Sequence, residues 1–83
     1  MISVRNMVKN ILRKELLIPV KKIKSQQVLT SDLGLSPSEL NILLYFIEEK
    51  YKMRIVAIQP KITVQELIYS IEQTRKYYPT FIK

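Results

Sequence analysis

The side chains best placed to do chemistry in this sequence are two hydroxyls, Ser36 and Ser38, on either side of Pro37 in the run Asp32-Leu33-Gly34-Leu35-Ser36-Pro37-Ser38-Glu39-Leu40. Histidine and cysteine are absent throughout. Their absence removes the commonest general base, the commonest zinc ligand, the thiolate nucleophile and any disulfide framework. The carboxylates Asp32, Glu39, Glu48 and Glu49 fall on different turns and read as caps and surface, not as an acid–base pair or a metal-ligand spacing. Gly34 is the single glycine, so no glycine-rich loop cradles a phosphate. The chain reads as non-enzymatic. What remains is a hydroxyl at a helix start, where unpaired amides and the helix dipole favour phosphate.

The element that must position those hydroxyls is a helix expected from about residue 37 to 52. Ser36 is a good N-cap, because its oxygen can accept from a first-turn amide that has no partner inside the helix. Pro37 suits the next position, where the missing N–H costs nothing. Glu39, three residues on, completes a capping box. At about 100° per residue, Leu40, Leu43, Leu44, Ile47 and Tyr51 share one sector, assigned to the core. Ser38 lies opposite, so its hydroxyl is expected to face outward. Ile42, Tyr45 and Phe46 also point away from the core sector, giving a helix apolar on two sides. Such a helix either meets a partner or packs under a long loop.

The remaining elements follow from periodicity and breakers. Val4, Met7, Val8, Ile11 and Leu12 form one helical stripe, predicting a helix over about 3–16 with Arg5, Lys9 and Arg13 in a row on its flank. One face in a bundle core is the expectation for it; a helix lying on an anionic membrane is the alternative. Pro19 ends regular helix, and 17–35 reads as a long connection. Its apolar residues, among them Ile18, Val20, Ile23, Val28, Leu29 and Leu33, are spaced to pin it on a core. Met53 to Ile58 and the Gln59-Pro60 breaker leave room for only a short helix or turn at about 56–60. Thr63 with Glu66 makes a second capping box, opening a helix over about 64–76 on Val64, Leu67, Ile68 and Ile71. An aromatic tail, 77–83, closes the chain, either folded back or docked on a partner.

The chain has 83 residues, 47% of them hydrophobic and 25% charged, which places it with single small globular domains and not with disordered segments. The formal net charge of +7 is uneven. Residues 1–31 hold Arg5, Lys9, Arg13, Lys14, Lys21, Lys22 and Lys24 against Glu15 alone. No stretch approaches the roughly 18 apolar residues of a membrane span, and no secretory h-region is present, so a soluble, cytoplasmic protein is expected.

On these residues the chain resembles the acyl carrier protein family. That family carries Asp-Leu-Gly, then a short gap, then Asp-Ser-Leu at the head of its second helix, with phosphopantetheine on the serine. Asp32-Leu33-Gly34, the Glu48-Glu49-Lys50-Tyr51 helix end, the loop anchors Ile18, Ile23 and Leu29, and the Ile62-Thr63-Val64-Gln65 restart carry the likeness. The resemblance implies an all-α fold, a small four-helix bundle with a long loop between its first two helices and a reduced third helix. It also places Pro37 where the serine belongs, with Ser36 at the Asp and Ser38 at the Leu. Proline has no hydroxyl to modify. Ser36 would take the role under a loop one residue shorter, and Ser38 is the better candidate chemically. The resemblance therefore implies either no cofactor or phosphopantetheine attached atypically.

The leading expectation is an acyl-carrier-like protein of fatty acid, polyketide or related acyl metabolism, a carrier or docking protein left unmodified at the usual position. The alternative is an interaction module on the same scaffold. Its docking residues are Ile42, Tyr45, Phe46 and Glu39 on the second helix, with Lys21, Lys22, Arg5, Lys9 and Arg13 as a basic flank. Carrier proteins are typically acidic, so this basic flank implies acyl-metabolism enzymes or another partner with an acidic docking surface. A basic nucleic-acid or anionic-membrane binder ranks behind both, because no nucleic-acid motif accompanies the charge.

Overall fold

The computed structural model describes residues 3–55, 59 and 61–77. Among these residues it is all-helical: α1 spans Val4–Leu16, a single 3-10 turn spans Val20–Lys22, α2 spans Pro37–Tyr51 and α3 spans Val64–Tyr77. The short helix or turn expected at 56–60 and the tail beyond Tyr77 lie outside the described residues, Gln59 excepted. The radius of gyration, 12.2 Å, is close to the roughly 12 Å of a folded chain this long.

Each helix begins where its cap chemistry says it should. The Ser3 hydroxyl accepts from the Asn6 amide at 3.1 Å and opens α1. At α2 the capping box is complete: Ser36 Oγ accepts from the Glu39 amide at 3.2 Å, and Glu39 Oε1 accepts from the Ser36 amide at 2.9 Å. Thr63 and Glu66 repeat that exchange at α3, at 3.1 and 3.0 Å. Each box contributes about 1 kcal/mol.

The core is one apolar cluster. α1 supplies Val4, Val8, Ile11 and Leu12, α2 supplies Leu40, Leu43 and Ile47, and α3 supplies Val64, Leu67, Ile68 and Ile71. α1 packs against both α2 and α3. Leu44 and Tyr51, expected in the core of α2, are half-buried against its edge.

The long connection behaves as part of that core. Ile23, Leu29 and Leu35 are buried, and Ile18 and Leu33 are half-buried. Val20, expected to help pin the loop, is instead exposed. Backbone bonds hold the loop to the start of α3: the Leu29 amide donates to the Ile62 carbonyl, Val64 to Gln27, and Gln65 to Ser25, at 2.9–3.0 Å. Val28 and Thr63 form an isolated antiparallel bridge there. A connection of this length would usually be a liability. Here a set of backbone bonds ties it to the start of α3, and Ile23, Leu29 and Leu35 are buried beneath it, while Leu17 and Val20 stay exposed.

No helix among the described residues is long and apolar enough to cross a membrane.

Candidate functional site

The corner that opens α2 is built from the loop upward. Asp32 closes a turn over residues 28–33: its Oδ2 accepts from the Val28 amide at 2.7 Å, while the Asp32 and Leu33 amides both donate to the Val28 carbonyl. The Leu35 amide donates to the Leu29 carbonyl at 3.1 Å, so buried Leu29 has both backbone groups paired. Between the turn and the helix, Gly34 sits at φ +75°, in the left-handed region that favours glycine. The chain then emerges onto the surface. Gly34, Ser36, Pro37 and Ser38 are all exposed.

The two candidate hydroxyls are not equivalent. Ser36 Oγ accepts the Glu39 amide, so its lone pair serves the helix. Ser38, in the first turn, is exposed and carries no comparable duty in the cap. Pro37 stands between them at the first helical position. Glu39, expected on the docking face, is half-buried, and its carboxylate binds the Ser36 amide. Its first role is to hold the cap.

Along the outward side of α2 the expected face is present in part. Ile42 is 42% exposed and Tyr45 57%. Phe46, expected to point away from the core, instead turns toward α1 and is half-buried against the core cluster. Its ring meets Tyr45 edge-on, with centroids 5.5 Å apart and planes at 73°. Helical wheels treat a helix as isolated. Here a neighbouring rod stands beside Phe46, and Met7, Ile11, Lys14 and Lys50 join it in lining a groove of about 290 Å³ between α1 and α2.

The expected cationic residues lie on α1 and in the 3-10 turn. Arg5, Lys9 and Arg13 run along α1, with Lys9 half-buried and the other two exposed. Arg5 is tied down, since its Nη1 donates to Ser25 Oγ at 2.8 Å. Lys21 and Lys22 are exposed in the 3-10 turn, next to exposed Lys24. The structure thus divides the expected docking residues between the outward face of α2 and the flank and exit of α1.

Three features at the far ends of the helices carried no sequence signal. Glu48, unfavourable near the C-terminal end of α2 by the helix dipole, accepts the Ile55 amide on its carboxylate at 2.8 Å, while its carbonyl accepts from Lys52 and Met53. The glutamate fastens the exit of α2. The Arg75 guanidinium lies 4.6 Å over the Tyr51 ring, a cation–π contact between α3 and α2. The Tyr51 hydroxyl is buried with no hydrogen-bond partner among the described residues. Burial pushes this phenol above its ordinary value near 10.0, with Arg75 pulling it back and Glu72 adding to the rise. Finally, Leu17 closes α1 in the left-handed conformation and is 82% exposed.

Compared with protein-family models and with curated protein sequences, the chain matches none.

Proposed function

We propose that this chain is an acyl-carrier-like domain, a four-helix bundle with a reduced third helix, that acts in acyl metabolism as a docking protein and not as a conventionally loaded carrier. The supporting observation is the surface corner at Ser36-Pro37-Ser38. A long, well-anchored loop delivers the chain there and α2 starts at once, the geometry a tethered prosthetic group would need. At the position the resemblance assigns to the attachment serine, the corner offers Pro37. Ser36 spends its oxygen on the cap.

In this reading α2 presents Ile42 and Tyr45 to the partner, an acyl-metabolism enzyme or another protein with an acidic docking surface that the basic flank of α1 meets. The chain is cytoplasmic and performs no catalysis of its own. The test is the intact mass of the protein after co-expression with a broad-range phosphopantetheinyl transferase. The expected mass is that of the unmodified chain. Stoichiometric addition of one phosphopantetheine on Ser38 or Ser36 would overturn the docking role and make this chain a loaded carrier.

A further inference from the structure

The exit of α1 is built against the usual rules for closing a helix. A left-handed residue at this position is commonly glycine, because any Cβ there is strained. This chain has Leu17, at φ 58° and ψ 35°. The Leu17 and Ile18 amides both donate to the Leu12 carbonyl, so the turn is held firmly. The leucine side chain gains nothing from the fold, being 82% exposed. Three residues on, Val20 is 40% exposed at the start of the 3-10 turn.

The protruding tip is nonetheless rigidly mounted. Leu16 and Ile18 on either side of Leu17 pack against the core, and buried Ile23 anchors the far end of the turn. α2 closes with the same left-handed turn on Lys52, so the turn serves the fold, while the exposed apolar side chain at the tip of α1 does not. Its surroundings indicate what that side chain meets. Arg13, Lys14, Lys21, Lys22 and Lys24 flank it in the sequence, all exposed, with Glu15 as the single acid from 13 to 24.

We propose that this corner is a membrane-surface contact, in which Leu17 and Val20 enter the interface of an anionic lipid bilayer and the lysines lie over its head groups. Leu17 and Val20 both present apolar surface to solvent, 82% and 40% exposed. A protruding leucine enters a fluid bilayer without needing a matching pocket. Of the exposed cations in this stretch, Arg13, Lys14, Lys21, Lys22 and Lys24, four are lysines, flexible point charges without the bidentate fork of arginine that suits a fixed carboxylate. Lysine stems also lie along an apolar boundary while their charges reach the head groups. This contact does not depend on the carrier-like reading; it uses none of the residues at the α2 corner, and it takes Lys21 and Lys22 from the basic flank expected to meet an acidic partner.

The experiment is co-sedimentation of the full chain with vesicles of phosphatidylcholine alone and of phosphatidylcholine mixed with phosphatidylserine. Binding is expected only to the phosphatidylserine vesicles, and it should weaken as salt rises. Leu17→Gly relieves the strain, so it keeps the fold and yet should lower vesicle affinity by about tenfold. Lys21→Glu with Lys22→Glu should lower it on the order of a hundredfold or more. The chain has no tryptophan, so Leu17→Trp gives a single reporter whose emission should shift to the blue on the anionic vesicles. Absence of vesicle binding overturns the proposal and leaves an acidic protein as the partner of the lysines. Binding that survives Leu17→Gly undiminished, with no blue shift from the tryptophan reporter and equal affinity for bulk DNA, also overturns it and makes the corner a diffuse polyanion binder.

Discussion

Two corners of this small helical domain do the same mechanical job with opposite materials. At the start of α2 every residue suits its local role, with Gly34 taking the positive φ, Ser36 and Glu39 exchanging bonds, and Pro37 filling the first helical position. At the end of α1 a leucine takes the positive φ, and its side chain stands in water. The contrast separates two kinds of information in a sequence. Where local chemistry and global fold agree, residues explain themselves through stability. At Leu17 the exposed side chain gains no packing from the fold, and the proposed surface contact supplies the reason for it.

The loop joining these corners bears the heaviest load, because both depend on its anchors. Leu29→Ala removes a fully buried side chain and should cost about 2–5 kcal/mol, measured by urea unfolding. A loss under ~1 kcal/mol would mean that the connection is a loose surface loop and that the comparison rests on nothing rigid. Ser36→Ala probes the well-formed corner directly. It deletes one cap acceptor and should lower stability by about 1 kcal/mol in the same assay.

The opposite corner should respond with the opposite sign. Leu17→Gly is expected to raise stability by about 0.5–1 kcal/mol, since it removes left-handed strain and exposes no new apolar surface. A destabilisation would mean the leucine supports the fold, and the two corners would then differ only in residue type. Tyr51→Phe has the smallest effect and sharpens the picture of the helix exits. At neutral pH it should change stability by less than about 0.5 kcal/mol, because the buried hydroxyl has no partner among the described residues. In alkali the folded state holds the phenolic proton more tightly than the unfolded chain. That contribution is whole below pH 10.0 and is lost as pH rises through the raised folded value. From pH 10.0 up to that raised value, the stability of Tyr51→Phe should therefore fall less steeply than that of the parent chain.

Much of the architecture was legible because the bonds that write it are short-range. Capping boxes join residues three apart, so Ser36–Glu39 and Thr63–Glu66 could be read directly. The Val4, Val8, Ile11, Leu12 stripe needs only the helical period. Exposure of Ser38 and Tyr45 followed from the same wheel. What could not be read is non-local. The loop's bonds to the start of α3 join Leu29 to Ile62, Gln27 to Val64 and Ser25 to Gln65, partners set by the packing of the whole chain. Phe46 was misplaced because a wheel contains no neighbouring α1. The bond from Ile55 to Glu48 and the stacking of Arg75 on Tyr51 likewise require helix ends to meet. Leu17 was invisible for a different reason: leucine carries no mark of a positive φ.

The most direct test of the carrier-like reading installs the attachment motif of the family the chain resembles. A variant combining Ser36→Asp, Pro37→Ser and Ser38→Leu recreates Asp-Ser-Leu at the head of α2 and keeps a good N-cap in the aspartate. After incubation with coenzyme A and a broad-range phosphopantetheinyl transferase, its intact mass should increase by one phosphopantetheine, while the parent chain stays unchanged. A correctly folded triple variant that stays unmodified would contradict the account, because the corner would then share the family's letters without its geometry.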